Sequence, residues 1–547
     1  MLSISLFGGR EDFSPERGEI MAGIGKTAWA DRLREGWSRE TRQRLLLSFL
    51  AVFLVGLAAH AYGFLRAGFS HDMLNALVTE PVETYWKMQL GRPGIVLYRR
   101  VIRGLIAAPW LLGLLSLLWL SLSCFLIVGL FRIPSRLFTV LTAGLLTANL
   151  SVIAMTATFL YEMDADLFAM LIGICAVWLW DRGGWKGALA GIPLVAFCVG
   201  TYQSMISVPI TLIMLLCIAA LLRGDSFSEV FRKGLSGLGM LVLGGLLYVL
   251  LVRLMCSWKD INLAMDSYND VSQTVSSSLF GRIARTYATW AAAFWNPAKS
   301  HIEPPVLVLN CLLLLPALFA LLFWLGKSRA GWKEKLLLCL LVLLLPLGMN
   351  TAQLRFSRDV HDLMKMAFWL SGLLVLLPFF LLPPEKPLRF SRAVSVILIV
   401  VLLFLNIQTA NVVYTRKNLE QNAALSLMTR VLGRMEERED YVPGETVVVF
   451  AGVSNQLRDR IPGFESTYDI TGCEESSPIE KAQTSYNYHV YDAYFRYFLN
   501  NPAVLADSGV WNRMQRDGRV VAMPCYPDAD CMQMLDGMLV VKMGDLS

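Results

Sequence analysis

Four short clusters in this chain carry the residue types that acid–base and phosphate chemistry require, and each interrupts a strongly apolar stretch. They are Ser70-His71-Asp72, Tyr161-Glu162-Met163-Asp164-Ala165-Asp166, Thr201-Tyr202-Gln203 and Arg355-Phe356-Ser357-Arg358-Asp359-Val360-His361-Asp362. A carboxylate at a membrane boundary, such as Asp72 beside His71, can act as a general base because partial desolvation raises its proton affinity. If the segment after Tyr161 is helical, Glu162 and Asp166 stand four apart on one face, and with Asp164 they could receive sugar hydroxyls. A divalent cation is the other ligand such acids could take, but no His accompanies them, and no cofactor is certain. Arg92 in the Gly91-Arg92-Pro93-Gly94 turn, and Arg355 and Arg358 beside His361 and Asp362, suit phosphate oxygens, which a planar guanidinium grips with two parallel bonds. Tyr202 and Gln203 could hydrogen-bond a sugar. Each cluster also has a plainer reading, as a solvated loop acid, a salt-bridged cap or an interfacial tyrosine. Their weight comes from lying on a common side.

Such residues need elements to hold them, and composition says which. Of 547 residues 55% are apolar and only 17% charged, and mean hydropathy is +0.51, which excludes an ordinary soluble protein. The net charge of +6 is small for this length and calls for no nucleic acid. Apolar runs predict eleven spans, near 45–65, 109–131, 137–159, 166–181, 186–201, 204–222, 234–256, 305–326, 334–352, 363–383 and 393–411. The expected fold is mainly α, a polytopic helical membrane protein. Its parts are a cytoplasmic segment 1–44, a multi-span domain 45–411 and a small C-terminal α/β domain 412–547. Seven cysteines lie in or beside apolar runs, and Cys473, Cys525 and Cys531 lie in the tail without zinc spacing. Gly23-Ile24-Gly25-Lys26-Thr27 is not a phosphate loop, because Ile20 stands where its first glycine belongs. Met21 is an alternative start.

Basic residues set the expected orientation. With the N-terminus cytoplasmic, the inside loops hold Arg132 and Arg136, Arg182 and Lys186, Arg223, Arg232 and Lys233, Lys327 to Lys335, and Lys386 to Arg392. The opposite loops then hold all four chemical clusters, and the tail is periplasmic. The first outer loop breaks the pattern with Arg66, Lys87, Arg92, Arg99, Arg100 and Arg103, which either cross regardless or meet a phosphate. In the tail, 446–450, 520–523 and 538–541 read as strands and 479–500 as an aromatic-rich helix.

The layout resembles the bacterial serotype-converting polytopic glucosyltransferases, of Gtr type II-like kind and GT-C fold class. The resemblance rests on Ser70-His71-Asp72, Gly91-Arg92-Pro93, Tyr161-Glu162 to Asp166 and Gly200-Thr201-Tyr202-Gln203. The tail segments Met523-Pro524-Cys525-Tyr526-Pro527 and Asp536 to Lys542 add to it. It implies a polyprenyl-phosphate-linked glucose donor at the outer face of the bacterial inner membrane and a glycan acceptor such as O-antigen. Asp72 would then be the base, the three later acids would orient sugar or acceptor, and Arg92, Arg355 and Arg358 would hold phosphate. Family members often carry two adjacent acids where this chain has His71-Asp72. A transporter or flippase of lipid-linked glycans is the alternative expectation, although it would show repeated halves.

Overall fold

The computed structural model describes residues 39–66, 73, 80–104, 108–263, 278–295, 304–355, 359–383, 385–454, 456–457, 461–470 and 490–546. Helices dominate. They begin with α1 (Arg39–Arg66), α2 (Glu80–Gln89), α3 (Pro93–Tyr98), α4 (Pro109–Phe131), α5 (Arg136–Thr147), α6 (Leu150–Thr158) and α7 (Leu160–Thr201). After these come α8 (Ser207–Arg223), α9 (Phe227–Lys259), α10 (Leu279–Trp295), α11 (Pro304–Lys327), α12 (Trp332–Met349), α13 (Leu370–Leu381) and α14 (Lys386–Glu436). Seven of the described helices are long and apolar enough to cross a membrane, or eight if α5 and α6, bent by 42°, form one span.

The eleven expected runs map onto these helices with instructive differences. Runs 166–181 and 186–201 fall in the single 42-residue α7, but Gly184 takes φ 56° and breaks it. A Cβ on Gly173 would lie 3.1 Å from Cys198 Sγ, and one on Gly191 would lie 3.3 Å from the Ala176 carbonyl. Residues that far apart in sequence meet only if the chain doubles back, so α7 is a hairpin of two legs. Run 137–159 bends at Ala148–Asn149, where the Asn149 side chain accepts from Val152 N and caps α6. Run 363–383 is helical only over the 12 residues of α13, because a 3₁₀ turn at Asp362–Met364 and further turns precede it.

The last apolar run, 393–411, is the start of something longer. α14 continues without a break for 51 residues, and its final turns bury Ala424, Leu427, Met428, Val431 and Met435 in a second core. That core is closed by strands β1 (Val447–Ala451), β2 (Val453–Ser454), β3 (Val504–Leu505), β4 (Met532–Leu535), β5 (Met538–Lys542) and β6 (Gly544–Asp545). The main sheet runs β3-β1-β5-β4, with β1 parallel to both β3 and β5 and β4 antiparallel to β5. Two short helices, α15 (Ser508–Met514) and α16 (Gly518–Ala522), complete it. The strand expected at 520–523 is therefore helix: Asp517 caps it by accepting from Arg519 N, and of its residues Val520 turns inward. Of the helix expected at 479–500, residues from 490 on are described and helical through Phe498, the last turn a wide π turn.

Candidate functional site

The bundle has two chemically different ends. At one, Lys233 pairs with Asp181 at 2.5 Å, Arg223 donates to the Phe131 carbonyl at 3.0 Å, and Glu334 accepts from Phe227 N at 3.0 Å. Arg392 lies over the Phe138 ring at 4.7 Å, and Lys327 stands 3.7 Å from Glu385. These are the loops read from sequence as basic and inside, now gathered at one end. One span length away, about 30 Å for the 21 residues from Gln203 to Arg223, lie the acidic and Tyr-Gln clusters. α14 leaves the bundle at this second end. There Asn406 donates to the Ala148 carbonyl at 2.9 Å, and Tyr414 OH meets His60 Nδ1 at 2.7 Å, while His60 Nε2 contacts the Thr147 carbonyl.

The first leg of α7 starts the site. Glu162, Asp164 and Asp166 are all buried in its first two turns. Buried carboxylates need counter-charges, and the preceding loop provides them. Lys87, near the end of α2, ion-pairs with Glu162, and Arg99 stands 3.7 Å from the same oxygen. Arg103 bonds Asp164 Oδ1 at 3.0 Å and the Tyr161 carbonyl at 2.6 Å. The other oxygen of Asp164 accepts from Tyr98 OH at 3.0 Å, and that hydroxyl accepts from the Trp119 indole at 3.0 Å. Burial pushes the Tyr98 phenol above its ordinary range, and the charge of Asp164 adds to the rise.

Backbone geometry brings these cations into place. Gly91 takes φ +70°, a region that favours glycine, and Pro93 opens α3 at its first turn, where the missing N–H costs nothing. α3 then widens into a π turn over Arg99–Arg103, closed by Gly104 N on the Arg99 carbonyl at 2.7 Å. Gly94 seats α3 directly on the second leg of α7: a Cβ there would overlap Thr201 Oγ1 and lie 2.9 Å from Gly200 C and Thr201 N.

Arg92 is held differently from the other cations. Its Nε donates to Gln203 Oε1 at 3.0 Å and its guanidinium lies 4.7 Å over the Tyr202 ring. Its two terminal nitrogens make no hydrogen bond or ion pair among the described residues. Gln203 is itself fixed, donating to the Leu90 carbonyl at 2.8 Å and to Tyr248 OH at 3.3 Å. Asp166, 5% exposed, likewise accepts no hydrogen bond among the described residues. The charges of Arg92 and Lys87 both act on it and on Glu162. The terminal nitrogens of Arg92 and the Asp166 carboxylate are thus left without a bonded partner among the described residues, while Lys87, Arg99 and Arg103 around them are paired with Glu162 and Asp164.

The structure therefore unites Arg92, Glu162, Asp164, Asp166, Tyr202 and Gln203. His71, Asp72 and Arg358 lie outside the described residues. Asp362 pairs with Lys365 at 2.6 Å, and its carbonyl accepts from Ser151 at 2.7 Å, which ties that loop to the start of α6. Arg355 and His361 flank the same loop, whose 3₁₀ turn Thr351–Leu354 packs beside the turn Gln203–Ile206. Sequence reading left Lys87, Tyr98, Arg99, Arg103, Trp119 and Tyr248 unassigned to this cluster. The excess of basic residues in the loop expected to be outer was the available signal, and three of them, Lys87, Arg99 and Arg103, meet carboxylates. Among the described residues no group of three His, Cys, Asp or Glu side chains could hold a metal ion.

No curated protein matched the chain in a sequence comparison. The model of the glucosyl transferase GtrII family matches residues 62–405, a stretch that runs from the end of α1 into α14 and takes in every site residue named above. With well over half its length matched, the chain belongs to the glucosyl transferase GtrII family.

Proposed function

We propose that this glucosyltransferase takes glucose from a polyprenyl-phosphate-linked donor and passes it to a hydroxyl of a surface glycan such as O-antigen, at the outer face of the bacterial inner membrane. The observation that carries the reading is the open Arg92 fork beside the open Asp166 carboxylate, at the bundle end opposite the basic loops. A lipid phosphate must stay at the membrane boundary, and Arg92 offers it two donors there, with Arg355 and Arg358 as further candidates. Asp166 would bind sugar hydroxyls, with Glu162 and Asp164 holding Lys87, Arg99 and Arg103 in place around it. Tyr202 and Gln203 fix Arg92, and His361 and Asp362 brace the neighbouring loop. Basic loops facing the cytoplasm put the N-terminus inside and the tail in the periplasm.

The chemistry is a single displacement with Asp72 as base. The acceptor oxygen forms a bond to the anomeric carbon as its proton passes to Asp72. The bond from that carbon to the phosphate oxygen breaks, its electron pair leaving on phosphate, and the anomeric configuration inverts. Membranes carrying the protein, incubated with polyprenyl-phosphate glucose and a glycan acceptor, test this. Asp72→Asn is expected to lower transfer about 10²-fold or more, the usual contribution of a positioned base. Wild-type rates from Asp72→Asn would remove it as base. Donor binding by the wild-type protein with no transfer to any acceptor would replace the enzyme reading with that of a carrier for lipid-linked glycans.

A further inference from the structure

α9 turns most of its surface outward, leaving Leu243, Leu246, Leu250 and Leu254 exposed as a lipid-facing helix would. Tyr248, on the same helix, instead reaches into the site. Its hydroxyl donates to the Gly91 carbonyl at 3.0 Å and lies 3.3 Å from Gln203 Nε2. The approach is close: a Cβ on Gly91 would stand 3.0 Å from that oxygen, and one on Gly200 would stand 3.5 Å from the ring.

We propose that Tyr248 is a positioning residue for the donor phosphate, acting through Gln203 on Arg92. The inference rests on the reading that Arg92 grips that phosphate. Gln203 spends its amide donors on the Leu90 carbonyl and on Tyr248 OH, which leaves Oε1 to meet Arg92 Nε at 3.0 Å. With Nε fixed and the guanidinium stacked on Tyr202, the two terminal nitrogens are aimed together, as a phosphate needs. Loss of the hydroxyl leaves the Gly91 carbonyl unpaired and removes one of two anchors that set the Gln203 amide. The turn carrying Arg92 and the acceptor of its Nε would loosen together, while the ring of a phenylalanine would keep the packing.

The test uses the full-length protein in proteoliposomes, with polyprenyl-phosphate glucose as donor and a fixed glycan acceptor. Tyr248→Phe is expected to raise the donor KM about five- to tenfold, the scale of one or two lost hydrogen bonds, with kcat changed less than about twofold. The acceptor KM and the melting midpoint should stay near wild type. In an Arg92→Ala background, Tyr248→Phe should add nothing further, because the effect runs through Arg92. Gln203→Met, which cuts the same relay at its centre, should reproduce the donor KM change and stands in if Tyr248→Phe does not fold. An unchanged donor KM in both variants, or losses that add fully in the double variant, would overturn the proposal. If Arg92→Ala itself leaves the donor KM unchanged, the failure belongs to the phosphate reading instead.

Discussion

Replacing one hydrogen atom at Gly94 should test the whole placement of the basic loop. A Cβ at this position overlaps the Thr201 hydroxyl and sits 2.9 Å from two backbone atoms, Gly200 C and Thr201 N. The hydroxyl could rotate only by giving up its bond to the Phe197 carbonyl at 2.9 Å. The backbone atoms cannot rotate away, so α3 must lift by about 0.5 Å to restore ordinary contact. Overpacking of this kind costs about 1–3 kcal/mol. Since α3 carries Arg92 at one end and Arg99 at the other, the lift is passed to both. A misplacement of about 1 Å can cost about 10²-fold in rate, so a lift of half that predicts roughly a tenfold loss. Initial transfer rates and melting midpoints of Gly94→Ala in detergent or liposomes measure both effects. Gly129→Ala in α4 is the control, because nothing lies within 4 Å of its Cβ position, and it should be neutral or slightly stabilising. A Gly94→Ala protein with wild-type rate and wild-type melting would mean that α3 does not rest on Thr201, and the geometry around Arg92 would fall with it.

Three further outcomes are expected. Lys87→Met strands a buried Glu162, with only the more distant Arg99 and Arg92 left to balance it, and should destabilise the protein by about 3 kcal/mol, while a second change of Glu162→Leu should recover much of that in thermal unfolding. On the tail surface, hydrogen bonds from Arg519 hold the Asp517 and Asp536 carboxyls below the usual carboxylate range. Depressed folded values stabilise above the unfolded value near pH 4 and lose that effect as pH falls through the folded ones, so Arg519→Ala should flatten the acid side of a melting-midpoint profile by a small amount. Cys525, half-buried and free of a disulfide, should be labelled by an impermeant maleimide from the periplasmic side; labelling only after the cytoplasmic side is opened would reverse the proposed orientation.

Much of this fold was legible because membrane spans depend on local composition. The two runs on either side of Gly184 read as separate spans and are separate legs of a hairpin, although the helix is nearly continuous. Buried strands β1 and β5 were legible from short unbroken apolar runs that contain adjacent valines. Val520-Val521 misled for the same reason: two valines read as strand, but the Asp517 cap and a short connection favour one helical turn. At the site, Glu162 and Asp166 could be placed on one face by spacing alone, and Gln203 could be placed at a junction. What spacing could not give was pairing. Whether Lys87, Arg99 and Arg103 meet phosphate or carboxylate depends on how α2 and α3 dock against α7, and that is decided by Gly94, a residue with no side chain to read.

The uninterrupted α14 has a consequence for how the tail is aimed. Across 51 residues there is no loop to absorb a change of register, so heading and height of the second core are set by helical phase. One residue inserted between Asn411, which anchors to the Ala58 carbonyl, and Ala424, which lies in the second core, would swing the tail by about 100° and raise it about 1.5 Å. Seven residues, about two turns, would nearly restore its heading while lifting it roughly 10 Å. The chain thus works here as a keyed shaft, on which insertions in whole turns separate the effect of the tail's direction from the effect of its distance.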